Sequence, residues 1–194
     1  MLASKNRNKK ICITNTAIEK ISKIQVNELT DEQNSKLCKL HKKLLRKSKE
    51  ENDSNEVLIA WNLYTGETAI VYGDRKSVII DLLIDVDMAV LRSNAFDYEI
   101  AYLHNHPSTS KFSYTDIYTF IDDNKLRLMS VVTNQGEVYI ISKNEKYERK
   151  SVVALFNETV LKLGGVGVLI DETFFETFVK QAVKQGGLDY ETSR

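Results

Sequence analysis

The chain has 194 residues, enough for one core-forming domain with a short appendage. Its 42% hydrophobic and 28% charged residues are an ordinary globular composition, and 27 basic residues balance 27 acidic ones, so no general pull toward nucleic acid or acidic membranes follows. No run approaches the roughly 18–20 apolar residues that span a bilayer. The lysine-rich start lacks an apolar h-region and reads as no secretory signal. Cys12 and Cys38 form neither a CxxC pair nor a disulfide framework, which fits a reducing, cytoplasmic setting.

In chain order, residues 1–10 read as a frayed basic start. Ile11-Cys12-Ile13 is a candidate short strand, and Ile18, Ile21, Ile24 and Val26 fall close to helical spacing over 16–26. Thr30-Asp31-Glu32-Gln33 resembles a capping box, and Leu37, Leu40, Leu44 and Leu45 line one face of a helix over 31–49. Its other face carries Lys36, Lys39, Lys42, Lys43, Arg46 and Lys47, read as solvated, with an acidic partner as the alternative. His41 is read as one more solvated residue of this helix. Residues 50–55 form a polar linker.

Val57–Trp61 then reads as a buried strand, Tyr64–Glu67 as a turn and Thr68–Tyr72 as the returning strand. Residues 78–84 fit a strand or the first turns of a helix reaching Leu91. Residues 99–103 form a strand running into His104, and Tyr114–Asp123 a helix. Residues 128–133 and 137–142 make a second hairpin around Asn134-Gln135-Gly136. Helices over 151–163 and 172–185 flank a Gly164-Gly165 joint. This mixed order predicts an α/β (α+β) fold in three parts: an N-terminal helical extension (1–50), a core (51–150) and C-terminal helices (151–194).

The chemistry concentrates in His104-Asn105-His106-Pro107 and Ser113-Tyr114-Thr115-Asp116, with the only proline directly after the histidine pair. Side chains two apart at a strand end point to one face, so both imidazoles can reach one ion. Asp116, ten residues beyond His106, can fold back to the same point. Two imidazoles, one carboxylate and a fourth position for water make a usual catalytic zinc set. Hydrolysis also needs a carboxylate base and a donor for the oxyanion. Ser113 can supply a hydroxyl. Asn105 reads equally as a turn residue or as one tuning the loop.

His-x-His-Pro, a short loop and Ser-x-x-Asp resemble the signature of the JAMM (JAB/MPN) metalloproteases, and His-Asn-His-Pro-Ser is similar to their bacterial, RadC-like branch. The resemblance implies a zinc peptidase or isopeptidase on an α-β-α sandwich around a mostly antiparallel curved sheet. It implies zinc on His104, His106 and Asp116, and Ser113 beside the oxyanion. It further implies a general base on an early strand, where Glu56 stands 48 residues before His104. Glu67, in a turn, and Glu51, in the linker, are placed less well. Six residues separate His106 from Ser113 where many family members have seven, which bears on where the serine falls. The implied substrate is a peptide or a ubiquitin-like protein. A nucleic-acid-associated protein and an inert MPN scaffold are the competing readings. The first rests only on the basic residues of 1–10 and 36–49, and the second is weakened because no ligand is missing.

Overall fold

The computed structural model describes residues 10–164 and 172–193, and the basic start before Lys10 and the Gly165 half of the glycine joint lie outside them. In chain order the elements are α1 (Asn15–Lys20), α2 (Asp31–Glu51), β1 (Val57–Asn62), β2 (Thr68–Tyr72), α3 (Val86–Ser93), β3 (Ile100–His106), α4 (Tyr114–Asp122), β4 (Leu126–Thr133), β5 (Val138–Lys143), α5 (Arg149–Lys162), α6 (Glu172–Gln185) and β6 (Leu188–Thr192). The fold is mixed α/β. Six strands form one sheet in the order β2-β1-β3-β4-β5-β6, antiparallel throughout except for the β3–β4 pair. A parallel pair needs a crossover, and the loop after His106 together with α4 supplies it.

Alternation along the strands divides the interior into two cores. Val57, Ile59 and Trp61 of β1 and Ala101 and Leu103 of β3 pack with Leu37, Leu40, Leu44 and Leu45 of α2 on one face. Leu58, Ala60 and Tyr102 point the other way, into a core built with α3, α4, α5 and α6. Both faces of β1 and β3 are covered, which is why those strands read as continuous apolar runs. The capping box starting α2 forms as predicted: the Thr30 hydroxyl accepts from Gln33 N, and Thr30 N donates to the Gln33 side chain. Each fully buried leucine on that helix contributes roughly 1.5–3 kcal/mol.

Several local expectations are corrected. Ile11–Ile13 is not a strand. Both sides of β3 are already taken by β1 and β4, so this segment bonds instead to the Pro107 carbonyl and the Ser54 hydroxyl. The helix in 16–26 ends at Lys20, and the chain beyond is held by the buried Asn34 side chain, which bonds both backbone groups of Val26 and the Leu29 carbonyl. Apolar spacing there reports burial, not helix. Residues 78–85 form neither strand nor helix, because Asp81 and Asp85 carboxylates take backbone N–H groups at Leu83 and Asp81 and favour turns. β6 has no counterpart in the sequence reading. His41 is not solvated: it is 2% exposed and its Nε2 lies 2.8 Å from Ser130 Oγ beneath β4.

Candidate metal centre

β3 carries the two histidines at its C-terminal end. Because they are two apart, both side chains leave the same face of the sheet, the α3–α6 side, while Asn105 between them points to the α2 side. Asp116 sits in the first turn of α4. Ser113 is the N-cap of that helix, and the pair forms a reciprocal capping box in which Ser113 Oγ accepts from Asp116 N and Ser113 N donates to Asp116 Oδ2 at 2.6 Å. The cap therefore aims the carboxylate back across the loop. The same Ser113 hydroxyl donates to Asp116 Oδ2 at 2.7 Å.

These elements converge. His104 Nε2 and His106 Nε2 lie 3.2 Å apart. Asp116 Oδ1 lies 3.3 Å from the first, and Oδ2 lies 3.4 Å from the second. One ligand atom from each of the three residues falls within 4.8 Å of the others. Such a separation is what side chains adopt when they can share one small cation. His106 Nδ1–H donates to the Ser110 carbonyl at 3.2 Å, which leaves Nε2 as the lone-pair nitrogen of the neutral ring. His104 Nδ1 is buried without a hydrogen-bond partner among the described residues.

Glu56 immediately precedes β1. β1 pairs antiparallel with β3, with Leu58 opposite His104. Extending that register by two residues sets Glu56 beside His106, on the same face. The carboxyl is 7% exposed. Burial pushes its pKa up, opposed by the charges of His106 and His104 and reinforced by Asp116 and Asp74. Burial also pulls the His106 imidazole down, but the hydrogen bond and charge of Asp116, with Glu56 and the Ser110 carbonyl, outweigh it and hold the ring at about 9. Asp116 is the reverse case: burial pushes it up, yet His104 and His106 hold it well below the usual carboxylate range. In the metal-free site the Asp116 carboxylate is thus balanced by the His106 imidazolium, with Glu56 beside them.

Of the sequence-derived candidates, His104, His106 and Asp116 are brought together, Glu56 borders them, and Ser113 touches the cluster through Asp116. Neither of the weaker acidic candidates joins it. Glu51 is exposed at the C-terminal end of α2, bound to Lys47 and the Tyr72 hydroxyl, and Glu67 is engaged in its turn by Thr65. Phe112 and Trp61 are buried core residues, 6% and 1% exposed. Sequence reading passed over Ser48 and Asn134, whose buried polar side chains meet Asn105 behind the histidines. Their signal was present but faint: Ser48 continues the apolar face of α2, and Asn134 looked like a plain turn residue. Comparison with family models, curated proteins and solved structures returned no match to this chain. No described helix is long and apolar enough to cross a membrane.

Proposed function

We propose that this chain is a zinc-dependent peptidase or isopeptidase of the JAMM type, on an MPN/JAB-like α-β-α sandwich. The observation that carries the reading is the convergence of His104, His106 and Asp116 within 4.8 Å, beside a buried glutamate that immediately precedes the neighbouring strand. The donor set fits zinc: two imidazole nitrogens with one carboxylate, and no thiolate in the cluster. A zinc ion held there supplies Lewis acidity and lowers the pKa of a water toward neutrality.

The chain's own groups account for the remaining chemistry. Glu56, whose burial raises its proton affinity, takes the proton from the attacking water and passes it to the leaving amine. Ser113 has two uses in this reading. Its hydroxyl orients Asp116 in the resting site, and turned away from that carboxylate it donates to the oxyanion. A peptide or ubiquitin-like tail is the substrate class, entering as an extended strand, and β2, an edge strand among the described residues, lies beside β1. The test is metal content and cleavage measured together. Wild type binds one zinc per chain and cleaves peptide or isopeptide bonds, the His104→Ala/His106→Ala double variant loses both, and Glu56→Gln keeps zinc and loses turnover. Absence of zinc from wild type reconstituted with the metal refutes the reading.

A further inference from the structure

Asn105 stands between the two histidines in sequence but belongs to the opposite face of the sheet. It is fully buried, and it spends every polar group it has. Its Oδ1 accepts from Val57 N at 2.8 Å. Its Nδ2 faces three acceptors, Ser48 Oγ and Asn55 O at 3.1 Å and Asn134 Oδ1 at 2.9 Å. An N–H at the start of β1 is thereby bound by a side chain of the histidine strand, where a regular ladder would use a backbone carbonyl. The residue held is Val57, the neighbour of Glu56.

The partners of Asn105 are tied down in turn. Asn134 Nδ2 donates to the Ile11 and Ser54 carbonyls at 2.7 and 2.9 Å. Ile11 N donates to Pro107 O at 2.7 Å, and Ile13 N to Ser54 Oγ at 3.1 Å. The segment from Lys10 to Ile13 therefore straps the exit of the histidine strand to the turn that precedes Glu56. That turn is strained: Asp53 and Ser54 adopt φ of 48° and 59°, a region non-glycine residues rarely occupy. Strain of this kind persists where the surroundings over-determine it, and the side-chain network does so here. Buried, fully satisfied polar networks specify a unique arrangement instead of merely adding stability.

We infer that Asn105 is a positioning residue. With Asn134 and the Lys10–Ile13 strap behind it, it fixes the Glu56 carboxylate relative to the His104–His106 pair from the far side of the sheet. The inference rests on the metallohydrolase reading for its functional consequence, and on the hydrogen bonds alone for its structural one. The histidines themselves stay in place without it, because β3 keeps its ladders to both β1 and β4.

The test is Asn105→Leu in the full chain, with three readouts. Zinc stoichiometry stays at the wild-type value. Turnover of a defined peptide library containing a lysine-isopeptide member, read by mass spectrometry, falls about tenfold to a hundredfold in kcat, the scale of a roughly 1 Å misplacement. Amide exchange at Val57 accelerates, while amides of the β4–β5 ladder keep their protection, a pattern that general destabilisation does not give. Should Asn105→Leu fail to fold, Asn134→Ala carries the same test with a smaller loss of turnover. Wild-type turnover in the variant, or a Val57 amide that stays protected, overturns the inference. If wild type neither binds zinc nor cleaves, the metallohydrolase reading is lost, and Val57 exchange still decides whether Asn105 holds the strand beside Glu56.

Discussion

His41 and His106 are both buried histidines, packed against opposite faces of one sheet, and their environments drive them to opposite charge states. His41 meets a hydroxyl, and burial alone takes its imidazole down to about 3. His106 is as deeply buried but meets a carboxylate, and it is held at about 9. Burial by itself makes a histidine a neutral core group, and a facing carboxylate turns the same burial into a site that holds the ring's proton when no metal takes its place. The α2 face of the sheet thus uses its polar residues to hold structure, and the α3–α6 face gathers its own into the His104–His106–Asp116 cluster.

The comparison breaks most visibly at the metal. His106→Ala is expected to abolish zinc binding and turnover, whereas His41→Ala leaves zinc stoichiometry unchanged, as read by metal analysis of purified protein. Zinc lost from the His41 variant would erase the distinction between the faces. Next in size, Glu56→Gln is expected to retain zinc and lose about 10²–10⁴-fold in turnover, the usual worth of a positioned general base. Ser113→Ala removes a cap and an orienting hydrogen bond from Asp116. It is expected to weaken zinc about 10–100-fold, as loss of a partner that orients a ligand does, and a competitive chelator titration measures it.

Stability experiments sharpen the contrast further. His41→Ala leaves a cavity and an unpaired Ser130 hydroxyl under β4, with an expected cost of about 2–4 kcal/mol by denaturant unfolding. The pH dependence carries opposite signs for the two histidines. His41 has a folded pKa of about 3 against 6.5 in the unfolded chain, so the unfolded state binds more protons in that window and stability falls as pH drops from 6.5 toward 3. His106 in metal-free protein is raised to about 9, so its contribution is fully present below 6.5 and is lost as pH climbs through 9. The smallest expected effect belongs to Lys143, buried against Phe120 and Tyr147 and donating to Asp123 O. Burial lowers it to about 8 from 10.5, so it adds a rise in stability between those pH values that Lys143→Met removes. Thermal melts across pH 3–10 read all three.

Much of the frame was legible because local signals and burial agreed. Thr30 and Gln33 marked the start of α2, the apolar run Val57–Trp61 marked a buried strand, and residues 99–103 marked the strand that runs into His104. The pairing of His104, His106 and Asp116 was legible from spacing, since a strand end and a helix cap each aim side chains in known directions. Other positions carried signals that meant something else. Ile21 and Val26 keep helical spacing in an extended segment, because an apolar period records which residues are buried and not the backbone that buries them. His41 shared a helix with seven basic residues, and composition suggested water where the sheet provides a roof.

Residue identity and short-range geometry, acting within a few turns of chain, determined the ligand types, the capping of α4 and the covered strands. Contacts between residues far apart in sequence decided the rest: which strand lies beside β3, that Glu56 consequently borders His106, and that Asn105 joins Ser48, Asn55 and Asn134 behind them. Those outcomes depend on strand order and register, and register is fixed only when a whole face of the sheet finds its core.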